Sequence, residues 1–494
     1  MREALKYIFQ GSIYGKLMLM IGCLMLVPIL LIPFYPEELP HIISFIIPSL
    51  LAIVSGLLAC RIKSKRPNKN LPLYQSTIQE SSLPVFFAWC FGFITGAIPF
   101  MITGKMSFIH ALFESVSGWT TTGLTVVDVT TMPHIFLFHR SFMQFCGGLG
   151  FILMALMLVG GKKAVSLYNA EGHPDRLMPN LKRTVHTIFM IYSGFLVVGT
   201  VAYCFFGMQP FDAICHTMSA LSTAGFTTQA NSIAGYGSFP IEATTIVLMI
   251  IGSTNFAVLL LLTRFKFRKL LKVSELRFMF ALLAVFVPLA GFSLMAERGM
   301  GFFESMHHAL FGMVTTFSTT GYATMDYAQW PAFALGLIMV LMIIGGSSGS
   351  TAGGIKLSRT YFLLRTAYSN IKKRMIPSRN VTVMNYYNIR GKAQINHALI
   401  VDTLGFVVAY VAIVIVGTLL ITLTEGCTLF DAAFEFASAF GTVGISNGLT
   451  NEATGTLTLI IEMIAMILGR LEIFIVFVGL GTCVSRVKGK IFKA

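Results

Sequence analysis

Ten apolar stretches of about 20 residues constrain this chain more than any other feature; they lie near 17–34, 42–60, 84–104, 135–160, 185–206, 239–263, 278–296, 331–355, 398–424 and 456–484. A run of that length crosses about 30 Å of hydrocarbon only as a helix, because every backbone N–H and C=O must find its partner within the segment. The chain is 55% hydrophobic and 12% charged, against about 25% charged in a soluble domain. It therefore reads as an all-α polytopic membrane protein of ten spans. The first run is too long for the core of a signal peptide and lacks a small-residue exit, so it is expected to remain as a helix.

The net charge of +15 resembles that of a nucleic-acid-binding protein until the basic residues are placed along the chain. Segments 1–16, 61–83, 161–184, 264–277, 356–397 and 485–494 hold 3, 5, 5, 6, 9 and 4 Lys or Arg, which is 32 of the 36. These are alternate connections, so the positive-inside rule puts them, and both termini, in the cytoplasm. No nucleic-acid partner is needed to explain the charge; the lipid bilayer is the partner implied. The 8 cysteines show no ligand spacing and read as small packing residues. The 10 histidines show no paired metal-ligand spacing, and His307 and His308 read as a polar helix start.

A second pattern lies between the spans. "SGWTTTGLT" around Gly123 recurs as "SALSTAGFTT" around Gly225, "TTFSTTGYATMD" around Gly321 and "SAFGTVGISNG" around Gly444. Two residues before each glycine stand Thr121, Thr223, Thr319 and Thr442; six before stand Ser117, Ser219, Thr315 and Ser438. A large apolar residue follows each glycine: Leu124, Phe226, Tyr322 and Ile445. One T-x-G is an ordinary polar turn, but four in register between spans define a repeated unit of span, loop and span.

The 12 to 15 residues before each T-x-G are too few to cross a bilayer and enough for a short re-entrant helix. Irregular backbone at membrane depth is tolerated where it lines a water-filled cavity, so four such loops imply a shared one. Carbonyls turned inward can replace an ion's hydration shell, and glycine reaches φ > 0 without steric cost. The candidate filter is Thr121, Thr122 and Gly123, Thr223, Ala224 and Gly225, Thr319, Thr320 and Gly321, and Thr442, Val443 and Gly444. Asp212 and Asp431 are placed to cap two of the short helices. Glu114 and Glu435, nine before their glycines, are placed to support the filter from behind. Asp128 and Asp326, five after theirs, either gather cations at the mouth or are solvated loop carboxylates.

With these four segments in these positions the chain resembles the Trk, Ktr and plant high-affinity potassium transporter superfamily, and its Trk branch most. The resemblance covers nearly the whole chain and implies an N-terminal hairpin (1–70) and four repeats (71–165, 166–270, 271–375 and 376–494) in pseudo-fourfold symmetry about one pore. It implies potassium as the transported ion, since sodium-selective relatives tend to carry serine in the first repeat where this chain has Gly123. A bacterial cytoplasmic (inner) membrane, a homodimer and a cytosolic nucleotide-binding regulatory subunit of the Trk type are further implications, with 161–184 and 356–397 as docking surfaces.

Two features mark a gate. "IIGGSSGSTAGGIK" interrupts the apolar span 331–355 with Gly345, Gly346, Ser347, Ser348, Gly349, Ser350, Gly353 and Gly354. A phosphate-binding loop is an alternative reading, because Gly349 and Gly354 have its separation, but Ile355 stands where its lysine is required. Arg470 lies inside the last span, where a charge is a functional-site hypothesis by default; its neighbours Met466 and Phe474 cannot pair with it, and Glu472 faces away. Gly345 follows its filter glycine by 24 residues and Arg470 by 26, so both fall at similar depth below the filter. The family resemblance gives both features a gating role; a purely structural arginine is the competing reading. A sodium- or proton-coupled carrier remains a second reading of the whole chain, although such carriers commonly carry inverted repeats and these four run the same way. No catalytic constellation converges, so the chain is not read as an enzyme.

Overall fold

The computed structural model describes residues 12–61, 73–104, 106–150, 181–375, 384–471 and 473–481. Helices α1 (Ile13–Leu24) and α2 (Ile42–Arg61) form an N-terminal hairpin. They approach closely on small residues: a Cβ on Gly15 would strike Cys60, one on Gly22 would strike Ile53, and Ser49 Oγ donates to the Gly22 carbonyl at 2.7 Å.

From there one order of elements recurs. A long helix is followed by a short one, a loop and a further helix: α3 (Leu73–Ile102), α4 (Phe108–Trp119) and α5 (His134–Leu149); α6 (Leu181–Phe205), α7 (Pro210–Leu221) and α8 (Phe239–Gly252) with α9 (Phe256–Thr263). The same order continues in α10 (Ser274–Arg298), α11 (Phe302–Phe317) and α12 (Ala332–Ile344), and after α13 (Leu357–Met375) in α14 (His397–Glu425), α15 (Leu429–Phe440) and α16 (Thr456–Arg470). The long helices turn apolar side chains outward, as Val197, Val201, Val408 and Leu423 do, which is where a lipid-facing surface keeps them. The short helices are the core: every residue of Phe113–Trp119, Cys215–Leu221, Phe311–Phe317 and Phe434–Phe440 is buried.

The apolar stretches do not all run as single straight helices. Among the described residues six helices are long and apolar enough to cross a bilayer, and two further pairs are bent, α8 to α9 by 116° and α16 to Ile473–Gly481 by 104°. The helix after each T-x-G ends a comparable distance along the chain from its glycine, at Leu149, Gly252, Ile344 and Arg470. Hydropathy does not register the breaks at Ser253 and Leu471, where apolar residues resume within a few positions; only the third, at Gly345, is marked in the sequence by its glycine-serine run. The all-α expectation also misses a two-stranded hairpin, β1 (Asn385–Asn388) and β2 (Gly391–Gln394), inside the basic 356–397 segment. Its Tyr387 N–H donates to Ser274 Oγ at the start of α10, and Tyr386 packs edge-on against Phe362 of α13. The other basic segment, 161–184, lies outside the described residues up to 180.

The hairpin connection carries one functional attachment. Glu38, 6% exposed, accepts from the backbone N–H groups of His134 (2.6 Å) and Ile135 (2.8 Å), and so caps α5 from a distant segment. Its carboxylate meets the positive end of the helix that carries Arg140 and Gln144. Replacing Glu38 by Ala orphans two buried donors and is expected to lower stability by about 1–3 kcal/mol, read as a fall in melting temperature in detergent.

Candidate functional site

Each short helix ends the same way. Thr121, Thr223, Thr319 and Thr442 follow the last turns with φ of 56°, 53°, 57° and 50°. Their N–H groups bond three residues back, to the carbonyls of Gly118, Ala220, Thr316 and Ala439. The next N–H groups, of Thr122, Ala224, Thr320 and Val443, bond five back, to Ser117, Ser219, Thr315 and Ser438. These are Schellman caps, in which the left-handed position usually belongs to glycine. A β-branched residue there costs about 1–3 kcal/mol, and such strain persists where surrounding structure over-determines it.

Two residues later the chain again takes φ > 0, at Gly123 (93°), Gly225 (79°), Gly321 (85°) and Gly444 (84°). These glycines close a ring. A Cβ on Gly123 would run into the Ala224 carbonyl oxygen, on Gly225 into that of Thr320, on Gly321 into that of Val443, and on Gly444 into that of Thr122. Each segment thus presses the peptide before the next segment's glycine, in cyclic order. The residues on either side of each glycine are buried while the glycine itself is partly accessible. The hydroxyls of Thr121 and Thr442 are buried and have no partner among the described residues.

Side chains behind the ring tie it to the helices around it. Ser117 Oγ donates to the Leu124 carbonyl (2.6 Å) and accepts from Gly123 N–H (3.1 Å). Glu114 accepts from Thr125 Oγ1 and Val126 N–H and from Arg140 Nε at 3.0 Å, an ion pair with both side chains at most 1% exposed. Arg140 Nη2 donates to Thr125 Oγ1, and its guanidinium lies 3.9 Å over Phe226 of the next segment. Glu435 accepts from Asn447 N–H (3.3 Å) and Thr450 Oγ1 (2.5 Å), and the same hydroxyl lies 2.8 Å from Glu462. Both carboxylates bond to the chain that follows their glycine, Glu114 at Thr125 and Val126 and Glu435 at Asn447 and Thr450.

Below the ring lies the loop between α12 and α13. It doubles back on itself, with Ile355 N–H on the Ile343 carbonyl and Gly354 packed against Gly345 so closely that neither admits a side chain. Its upper rim meets three of the left-handed threonines. Thr351 Oγ1 is 2.9 Å from Thr223 Oγ1, Gly353 N–H donates to Thr319 Oγ1 at 2.9 Å, and a Cβ on Gly353 would strike Thr442 Oγ1. Arg470 closes the fourth side: its guanidinium donates to the Thr351 carbonyl of the loop and to the carbonyls of Gly147 (2.5 Å) and Gly148 (3.2 Å) at the end of α5. Gly346 and Ser347 join the loop to α13 and to Ser253. Ser348 and Gly349 point away from the ring, toward Glu275, Asn255, Ser358 and Phe256. Ser350 bonds back to Ser347.

Some expectations are revised. Asp212 and Asp431 are not the caps; those positions belong to Gln209 and Thr428, and the two aspartates stand in the first turn. From there they tie down the chain beyond the glycine: Asp212 accepts from Thr228 Oγ1 (2.7 Å) and Asp431 from Asn447 Nδ2 (2.9 Å). His308 does the same to Thr324 at 3.0 Å, while His307 pairs with Glu242 at 2.6 Å, so this pair is more than a polar helix start. Asp128 and Asp326 each cap a short 3-10 turn through the N–H two residues on, and the Thr130 hydrogen bonds hold the Asp128 carboxyl below its usual range. Glu472 lies outside the described residues. Sequence reading missed Thr351, the loop residue that touches both Thr223 and Arg470, and Gln144. The hydroxyl of Thr351 at the centre of the glycine-serine run was the available signal; for Gln144 the signal was a lone amide in an apolar span.

A sequence model of the TrkH family, described as cation transport protein, matches residues 63–481. The chain is 31% identical over 428 residues to the Trk system potassium uptake protein TrkG of Escherichia coli (strain K12), covering 82% of this chain and 85% of that one. It is 28% identical over 475 residues to an uncharacterized cation transporter of Methanocaldococcus jannaschii, covering 95% and 94%. Among solved structures, the potassium transporter TrkH from Vibrio parahaemolyticus superposes with a TM-score of 0.82 at 25% identity, over 96% of this chain and 97% of that one.

The Glu114–Arg140 pair generates a test. Arg140→Met strands a buried carboxylate and is expected to destabilise by about 3–5 kcal/mol, while adding Glu114→Gln recovers most of the loss. Thermal melts of the two variants in detergent check both.

Proposed function

The chain belongs to the TrkH family of cation transport proteins, and on that footing we propose that it carries potassium into the cell across a bacterial cytoplasmic membrane through one central pore. The membrane-spanning segments form four repeats in pseudo-fourfold symmetry about that pore, behind an N-terminal hairpin, with both termini cytoplasmic. The observation that carries this reading is the ring in which each T-x-G glycine abuts the carbonyl of the next. Four partly accessible glycines with φ > 0 give the backbone freedom to turn carbonyls toward one axis, where they take the place of water around a dehydrated cation. The hydroxyls of Thr121 and Thr442, which have no partner among the described residues, add oxygens at the inner end. Each short helix aims its carbonyl end, carrying about half a negative charge, at the same point.

Potassium is the substrate, and its uptake needs no chemistry in this chain: a membrane potential supplies about 2.3 kcal/mol per charge per 100 mV. The loop 345–354 with Arg470 is the gate. Its support is the set of contacts that bring it against Thr223, Thr319 and Thr442 and, through Arg470, against the end of α5. Opening withdraws the loop from the threonine ring and breaks the guanidinium–carbonyl bonds. The chain acts as a homodimer with a cytosolic nucleotide-binding regulatory subunit, whose docking surfaces are the basic segments 161–184 and 356–397.

Flux of potassium, rubidium and sodium into liposomes holding the purified protein tests the reading. Potassium and rubidium are expected to enter down their gradients and sodium poorly. In Gly123→Ser, the added Cβ displaces the Ala224 carbonyl, and sodium entry rises. Absence of passive flux without a second ion would instead make the protein a sodium- or proton-coupled carrier, and equal sodium entry in the wild type would make it a sodium-conducting member of the family. Arg470→Ala is expected to raise potassium flux in a protein that still folds; loss of folded protein would mark Arg470 as a structural lock.

A further inference from the structure

Among the described residues, three of the four ring carbonyls, those of Thr122, Thr320 and Val443, receive no hydrogen bond, whereas the fourth, of Ala224, is held by a side chain from α5. Gln144, fully buried on α5, donates through Nε2 to the Ala224 carbonyl at 2.8 Å. Its Oε1 accepts from the Phe226 N–H at 3.3 Å and from Ser219 Oγ at 2.7 Å. The carbonyl before Gly225 and the N–H after it together fix which end of the amide is nitrogen. Gln144 thus pairs with the strand on both sides of Gly225, much as a neighbouring β-strand would.

The other corners are built differently. In the first, Ser117 bonds its own strand; in the second, the matching Ser219 turns to Gln144; in the third and fourth, the matching Thr315 and Ser438 hydroxyls have no partner among the described residues. At the position of Gln144, 21 residues after the glycine, the later repeats carry Ile246, Met342 and Ala465, none of which can donate. One corner therefore has a peptide locked by an amide, and its carbonyl shares its charge with a donor.

We infer that Gln144 is a positioning residue for ion selectivity: it fixes the Ala224–Gly225 peptide in its ring orientation and so sets the size and field of the ring at that corner. The inference rests on reading the four T-x-G segments as the filter. Gln144 acts through the Ala224 peptide, and through Arg140 one turn earlier α5 also braces Phe226.

The test is the ratio of sodium to potassium entry into liposomes for the full chain carrying Gln144→Glu or Gln144→Leu, beside the wild type and Gly123→Ser. An ionised Gln144→Glu keeps both acceptor contacts and loses the donor; Gln144→Leu loses all three. Each is expected to raise the ratio about fivefold, the effect of losing a hydrogen bond worth about 1 kcal/mol. A merely structural role would lower the melting temperature and total flux but leave the ratio of the folded fraction unchanged, and that result overturns the inference. A wild type that admits sodium and potassium equally overturns the potassium-selective reading on which the inference rests, separately from Gln144. If both Gln144 variants fail to fold, Ser219→Ala, which loosens the amide at Oε1 alone, is expected to raise the ratio about twofold; an unchanged ratio there overturns the inference as well.

Discussion

Four peptide oxygens occupy the space where four side chains would otherwise begin. The steric interlock of Gly123, Gly225, Gly321 and Gly444 with the carbonyls of Ala224, Thr320, Val443 and Thr122 is the constraint on which the rest of the molecule depends. It joins segments that are far apart in the chain into one ring and leaves no room for a methyl group at any corner. Strain goes with it, because the chain enters each corner through a left-handed threonine. The buried helices behind, with their Schellman caps and the Glu114–Arg140 and Glu435–Thr450 contacts, over-determine a backbone that would relax if left alone.

The same economy governs the charge below. A guanidinium within a membrane must find oxygens, and Arg470 donates to the peptide carbonyls of Thr351, Gly147 and Gly148, which belong to distant parts of the chain. The loop it holds is built of small residues, which let Gly345 and Gly354 touch and bring Thr351 and Gly353 up to the threonines.

Much of the site was legible because the chemistry repeats. Ser117 and Thr121 each have a counterpart in every later unit, and a pattern shown four times is read with confidence that a single turn never allows. The breaks after α8, α12 and α16 were legible only in the third unit, where glycine and serine interrupt the hydropathy; Ser253 and Leu471 interrupt nothing visible. Asp212 and Asp431 looked like caps because cap preference and first-turn preference select the same residue types. Their bonds to Thr228 and Asn447 are decided by how the chain returns after the glycine. Gln144 was illegible for a related reason: its three partners lie 75 to 82 residues away in sequence.

The sequence by itself determined the membrane class, the fourfold recurrence and the identity of the T-x-G, loop and arginine residues, because hydropathy, spacing and backbone preference are local properties. Tertiary structure alone decided the cyclic order of the corners, the opposite fates of equivalent hydroxyls, and the partners of Arg470, Glu38 and Gln144. Those are contacts between segments that bury polar groups away from water, and a buried donor takes whichever acceptor the packing brings within reach.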